Sequence, residues 1–365
     1  MRPRLTRSPF TLKLAYNADD VLADTDLPVS PQLYEHYGKA LRRSVDVTFT
    51  QDNGSGLSDR LRANASWFAA HKSAYVMQAL RDVQLDPTIP DDQKPDALRA
   101  MLRLFDRWTD AEVNTATARA RTAKQFEEFM QPDNARLFPN LRWIASRSAD
   151  PRASHTKFYD RVWAKTDPFW QTNAPGTEWN CKCDIEETDD PVTDNSGVPH
   201  HIPPRGLEGN PAETGQLFSE NASYVRGTKG VERDCQKIEQ KALIRAHTDR
   251  VVGECEIDGT SRPIHTAIWG TKEIANKMFG NPDYWHRNQV YAHLEDYLQE
   301  AVYVEGKDVD LGHNTNAKRL KLKSHFSKFH YIRIKAWEQH YCVIVAEHEN
   351  GTLYVYDIEK RRASQ

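Results

Sequence analysis

The sequence predicts a multidomain chain, with a mainly α N-terminal region followed by a small α+β domain of helices and an antiparallel β-meander. Three observations predict it. Apolar residues recur at helical spacing through the first 135 residues. A block rich in Trp and Cys follows at 136–184, and then a stretch dominated by Asp, Pro, Gly and Asn. The final third switches to strand alternation in Tyr331–Lys335, Tyr341–Val345 and Leu353–Ile358, with an Asn350-Gly351 hairpin signal between the last two.

The elements follow in order. Residues 1–29 read as an irregular arm. Ser30-Pro31 supplies an N-cap and a proline at the first helical position, and Leu33, Tyr37 and Leu41 then mark one helix face. Asp52–Gly56 breaks the chain. Leu57, Leu61, Phe68 and Tyr75 predict a long amphipathic helix to about Arg81. After an Asp/Pro loop, Leu98, Met101, Leu102, Phe105 and Trp108 form the next face, and Thr109 is read as capping a further helix through Ala116, Ala123 and Met130. The region 30–135 shows few ionisable residues at apolar positions and reads as a scaffold. Residues 30–225 are taken as one domain: helical to 135, Trp/Cys-rich over 136–184, loop-rich over 185–225. A linker helix at 226–245 leads to the last domain, 246–365. There, a short strand with Ile264-His265 precedes helices at Thr271–Phe279 and Asn288–Ala301 and then the meander.

Composition narrows the classes. The 365 residues carry 49 Lys+Arg against 52 Asp+Glu, a net charge of −3, which excludes a globally basic nucleic-acid coat but not a local basic patch. No apolar run approaches the ~20 residues of a membrane helix, so no membrane partner is expected. The basic start MRPRLTRSPFTLKL lacks a long apolar core and a small-residue cleavage site and is not read as a secretory signal. Five cysteines, an odd number with only Cys181 and Cys183 close together, argue for a reducing compartment over a disulfide framework.

The middle block carries Leu141-Arg-Trp143, Asp150-Pro-Arg152, His155, Asp167-Pro-Phe-Trp170, Pro175-Gly176 and Asn180-Cys-Lys-Cys183. In this order and spacing it resembles the phage head morphogenesis family of Mu F-like minor head proteins, with Lys182 where the family usually has Arg. The motif positions are Trp143, Asp150, Arg152, His155, Trp170, Asn180, Cys181 and Cys183. Gly209-Asn-Pro211 and Phe218–Asn221 resemble the family's trailing segment. The resemblance implies a minor head protein of a phage or prophage, partnered by portal and capsid proteins and found in the virion or the host cytoplasm.

Two thiols and an imidazole, Cys181, Cys183 and His155, form a three-ligand set that can hold zinc, with Asp150, His200 or His201 to complete it. Against it, C-x-C is not the usual C-x₂-C knuckle. The other reading is a loop-bonding His155 beside two cysteines buried as small hydrophobes. The Trp and Phe positions read as core anchors.

The layout of the tail, helices leading into a meander, resembles the barnase/EndoU/colicin/RelE group of metal-independent ribonucleases. The stretches that carry it are Ile264-His265, the helix through Tyr291-Ala-His293, His325–Lys335, and His340 through Asp357. The resemblance implies a toxin-like endoribonuclease with RNA as substrate, no cofactor, and an immunity protein as a further partner. That group's active residues vary, so no catalytic set carries over, and the candidates come from the chemistry.

Attack of an RNA 2′-hydroxyl on its own phosphate needs a base, an acid and cations around the charged phosphorane. Histidine suits the first two and Lys or Arg the third. Nine of the fourteen His lie between His247 and His348. Lys318, Arg319, Lys321, Lys323, Lys328, Arg333 and Lys335 fall in a run without one acid, whereas residues 241–365 as a whole hold 18 Lys+Arg and 17 Asp+Glu, so the positive charge is concentrated. Alternation sets His330, Ile332 and Ile334 on one face and Tyr331, Arg333 and Lys335 on the other. The candidates are His265 or His325 as acid and base, with His293 as a further imidazole; Arg333 and Lys323 on phosphate, supported by the rest of the run; and Tyr331 or Tyr356 orienting. His330, between apolar neighbours, also reads as a core residue.

The rival reading is a purely structural minor head protein whose basic tail binds DNA or a capsid or portal partner. An ADP-ribosyltransferase tail is disfavoured because no glutamate-rich active loop is visible. Walker-type loops, a G-x-S-x-G elbow and an H-E-x-x-H motif are absent.

Overall fold

The computed structural model describes residues 16–23, 26–50, 55–146, 148, 151, 153–198, 201–246, 250–310, 322–337 and 339–360. They form two compact units that divide between Asp234 and Cys235, with the described part of 52–59 grouped with the second.

The first unit opens with α1 (Ala18–Ala23), a short helix inside the stretch expected to be irregular, started by Asn17, whose side chain accepts from the Asp19 amide at 3.1 Å. In α2 (Pro31–Asp46) the Ser30 side chain accepts from the Leu33 amide as the N-cap, and Leu33, Tyr37 and Leu41 are buried. The long helix α3 runs over Leu57–Leu85.

The expected break at Thr109 is absent. A single helix, α4 (Lys94–Phe129), runs through it. The physical reason is local: Thr109 Oγ1 donates back to the Phe105 carbonyl at 2.8 Å, inside the helix, instead of accepting from amides ahead of it. This scaffold, where few ionisable residues were expected at apolar positions, buries charge. Lys72 of α3 donates to Glu112 of α4 at 2.5 Å, and Arg119 of α4 is sealed beneath a loop, donating to the carbonyls of Leu207 and Gly209 at 3.0 Å each.

After α5 (Pro132–Leu137) the Trp-rich block folds as a three-stranded antiparallel sheet in the order β2-β1-β3. Its strands are β1 (Asn140–Ile144), β2 (Val162–Ala164) and β3 (Asp184–Thr188), with α6 (Ala153–Thr156) and α7 (Phe169–Asn173) between them. Leu141 pairs with Trp163 on one side and Glu187 on the other, and Trp143 pairs with Ile185. Trp143, Phe158, Trp163, Trp170, Cys181, Cys183 and Ile185 close one core against Phe126 of α4. Trp143 and Trp170 lie nearly parallel with centroids 6.2 Å apart, and the Trp170 indole donates to the Ala164 carbonyl at 2.9 Å. Four such rings exclude several hundred Å² of apolar surface from water, which makes this the main adhesive of the block. The trailing segment adds α8 (Pro211–Thr214) and α9 (Ser223–Gly227). Asn64 of α3 holds it by accepting from the amides of Leu217 and Phe218.

Helix α10 (Glu232–Ala246) leads into the second unit, a six-stranded sheet in the order β4-β5-β9-β8-β7-β6. The strands are β4 (Arg250–Ile257), β5 (Thr260–Thr266), β6 (Val302–Asp308), β7 (Phe326–Ala336), β8 (Gln339–His348) and β9 (Leu353–Lys360). The expected meander is β7 to β9, and β6, which was not expected, adds to its edge by pairing with β7, antiparallel throughout. The single expected leading strand is instead a hairpin, β4-β5, turning at Asp258-Gly259 with both residues at positive φ. It joins the meander through a parallel pairing of β5 with β9. The second expected helix is two: α12 (Tyr284–Ala292) and α13 (Leu294–Leu298), separated at His293. The first is α11 (Ile268–Met278), which packs on β9.

Candidate functional site

Two constellations carry chemistry, one in each unit. In the first unit, Asn180 adopts φ 56°, a left-handed conformation that Asn tolerates better than most residues, and its amide donates to Thr115 Oγ1 at 2.9 Å. The turn sends Cys181 and Cys183 inward, and Arg121 holds the loop by donating to the Cys183 carbonyl at 3.1 Å. Gly176, with φ 91°, lies over Arg119; a Cβ there would sit 2.8 Å from Arg119 Cγ, so the Pro-Gly element admits no larger residue without displacing that buried cation.

His155, on α6, meets the two cysteines. Its Nδ1 lies 3.4 Å from Cys183 Sγ and 3.7 Å from Cys181 Sγ. Its Nε2 is buried without a hydrogen-bond partner. Glu178 and His201 form a second group around the same ring, and His201 Nε2 is 3.4 Å from Glu178 Oε1. Among the described residues His201 is grouped with His155 and Glu178, and not with the two cysteines. A hydrogen bond from the Cys183 thiol, against the effect of burial, pulls the Cys181 thiol well down, with His155 adding to it; the same bond and burial push Cys183 up. A cavity of about 270 Å³ borders His155, Cys181 and Cys183 and is also lined by Ser146, Ser148, Asn180 and Lys182. Trp143 and Trp170 are core residues of the same block. Asp150, Arg152 and His200 lie outside the described residues.

In the second unit, β7 presents Tyr331, Arg333 and Lys335 on one face and buries His330, Ile332 and Ile334 on the other, as the alternation requires. His330 Nε2 lies 2.8 Å from Glu347 Oε2, and Glu347 accepts from Arg262 at 2.7 Å. Burial raises the Glu347 carboxyl, but the hydrogen bonds from Arg262 and His330 outweigh it and hold it below the usual range. His330 thus belongs to a structural hydrogen-bonded group with Glu347 and Arg262.

The Tyr331 face is aromatic. Across it, in register, run His265 of β5, Tyr354 of β9, Ala346 of β8 and Phe329 of β7. Trp269 of α11 covers Tyr354, Tyr356 and Phe326, and Phe326 meets His348, which stacks on His325 with centroids 6.2 Å apart. Lys323 Nζ sits over the Phe329 ring at 5.6 Å and Lys307 Nζ over Tyr331 at 5.2 Å. His265 and His325 therefore lie on one strip of rings. They are not adjacent: at a strand spacing of ~4.8 Å, His265 is three strands and about 14 Å from β7 across the sheet.

The remaining candidates scatter. Tyr356 is buried in the aromatic cluster. His293, at the break between α12 and α13, is half-buried with Nδ1 3.7 Å from Asp296. Arg333 and Lys335 are exposed and Lys328 is half-buried. Lys318, Arg319 and Lys321 lie outside the described residues. Sequence reasoning missed Trp269, Tyr354 and His348 on this face. His348 sat inside the hairpin signal and read as turn, although the register of β8 extends to it.

Over part of its length the chain resembles known proteins. The chain is 26% identical over 158 residues to the Mu-like prophage FluMu F protein of Haemophilus influenzae, covering 43% of this chain and 33% of that protein. The chain is similar to Mu F proteins. It is also 33% identical over 73 residues to protein F of Escherichia phage Mu, named for capsid assembly, covering 20% of this chain and 16% of that protein. The matches thus span a third or less of the length of these relatives. No family model matches the chain, and no solved structure does. No helix among the described residues is long and apolar enough to cross a membrane.

Proposed function

We propose that this chain is a phage or prophage minor head protein that acts in capsid assembly beside portal and capsid proteins, in the virion or the host cytoplasm. The similarity to two F proteins carries the reading. It is supported by the way Trp143, His155, Trp170, Cys181 and Cys183, scattered along the sequence, converge on one core. The test is co-expression of the full chain with the capsid and portal proteins of its own phage, followed by gradient sedimentation. The chain is expected to travel with assembled heads and to be lost from them in Trp170→Ala; heads that form normally without it and never contain it would refute the proposal.

A second reading concerns the last unit, as a metal-independent RNA-cleaving effector restrained by an immunity protein. One observation favours it. The strip His265–Tyr354–Trp269–Phe326–His348–His325 lines a sheet face that also carries Tyr331 and Arg333; Phe326 is buried within it, and the half-buried rings of His265, Tyr354, Trp269 and His348 with the exposed His325 are the ones suited to unpaired bases. The full chain incubated with RNA in EDTA is expected to cleave it, and His265→Ala and His325→Ala to lose that activity. Intact RNA under these conditions would leave the basic tail as a binding surface for DNA or a capsid or portal partner.

A further inference from the structure

The geometry points to a zinc site built from His155 Nδ1, Cys181 Sγ and Cys183 Sγ, with its fourth position toward the bordering cavity, an assignment that goes beyond the capsid-assembly reading and does not depend on it. The distances carry it. A tetrahedral zinc with Zn–S about 2.3 Å and Zn–N about 2.0 Å sets its nitrogen and sulfur ligands ~3.6 Å apart. The two N···S separations here are 3.4 and 3.7 Å, and all three ligand atoms lie within 4.8 Å of one another. A hydrogen-bonded imidazole needs one close sulfur; this one is placed evenly between two.

The far side of the ring is a second, independent observation. His155 is 1% exposed, yet its Nε2 has no hydrogen-bond partner, and Glu178 and His201 each bring a ligand atom within 4.8 Å of one of its ring nitrogens. A histidine that ligates through Nδ1 carries its proton on Nε2 and characteristically directs that N–H to a carboxylate, which orients the ring and raises its basicity. Glu178 is the carboxylate grouped with this ring, near enough to take up that role although it does not bond Nε2 here. Two thiolates also neutralise a divalent cation, so a buried zinc adds no net charge to the Trp-lined core. The metal would tie α6 to the loop ahead of β3. The cavity, lined by Ser146, Ser148, Asn180 and Lys182, leaves room at the fourth position for water or a donor from outside the three ligands.

The test uses the full chain, purified under reducing conditions without added metal. One equivalent of zinc per chain is expected by elemental analysis, lost in Cys183→Ser and in His155→Ala, and retained in Cys255→Ser, which removes a buried cysteine of the other unit. Should the first two variants fail to fold, the unaltered chain decides. After chelation, cobalt(II) is expected to restore one equivalent, with a thiolate-to-metal charge-transfer band and the intense visible absorption of a tetrahedral ion. Trace zinc together with no thiolate band on cobalt addition overturns the assignment. So does zinc that persists in Cys183→Ser, or a Cys181–Cys183 disulfide in the reduced preparation.

Discussion

Lys72 Nζ donates to Glu112 Oε2 across 2.5 Å, and the two side chains are only 0% and 4% exposed. Around them, Tyr224 donates to Glu112 Oε1 at 2.8 Å, and Lys72 also donates to Thr109 Oγ1 at 2.6 Å. Burial pushes the Glu112 carboxyl up and the Lys72 amine down, and their mutual attraction opposes both shifts. Removing one partner strands the other charge. Lys72→Met is expected to lower unfolding free energy by about 3–5 kcal/mol, and Lys72→Met with Glu112→Leu by clearly less than the two single losses combined. Urea denaturation followed by Trp fluorescence checks both. A single variant as stable as the parent would contradict the pairing.

Trp170 packs against Trp143, Trp163, Phe169 and Phe126. Trp170→Ala should cost about 3–5 kcal/mol, the range for deleting a large buried aromatic. Trp108, 44% exposed on α4, serves as the comparison: Trp108→Ala should change the same denaturation midpoint only slightly.

His36 makes the first unit acid-sensitive. Burial, and then the Lys72 cation, pull its pKa from 6.5 to about 4. Asp106 faces it at 3.7 Å, with the rings of Tyr16 and Tyr37 alongside. Because the folded value is depressed, the unfolded chain binds the extra proton. The stabilisation is therefore complete above pH 6.5 and is lost as pH falls toward 4, amounting to about 3 kcal/mol at most. Asp106, raised by burial, contributes with the opposite sign. The stability of the first unit should decline between pH 6.5 and 4, and His36→Gln should flatten that decline. An unchanged slope in the variant would assign the sensitivity elsewhere.

Gly270 lets α11 lie directly on β9. A Cβ at that position would stand 2.3 Å from the Val355 carbonyl oxygen, which is backbone and cannot swing aside. Gly270→Ala should destabilise the second unit by about 1–3 kcal/mol and disturb the neighbouring Trp269 contacts. Thermal unfolding and near-ultraviolet circular dichroism read the two effects. Gly197→Ala, whose Cβ meets nothing within 4 Å, should be silent in both.

Much of this fold was legible residue by residue. Ser30-Pro31 announces α2 because capping is decided by neighbours a few positions away. The meander from β7 to β9 follows from alternation and an Asn-Gly turn, again local signals. Asp258-Gly259 carried the same kind of signal for β4-β5 and was readable. The edge strand β6 was not: its Val302 and Val304 are about half exposed, so no buried face marks it, and only pairing with β7 makes it a strand.

By itself, the sequence determined the helical scaffold, the meander, the two faces of β7 and the presence of two thiols and an imidazole in one block, because each depends on periodicity or short spacing. Only the tertiary structure decided which groups meet. It set His155 between Cys181 and Cys183, grouped His201 with His155 and Glu178, and paired β5 with β9 in parallel across most of the last unit. It also spread His265 and His325 along a ring strip instead of into one pair, and left His293 apart from that strip, beside Asp296. The physical reason is that such meetings are set by how distant segments pack and how strands order themselves in a sheet. Burial and register determine both, and neither leaves a periodic trace in the chain.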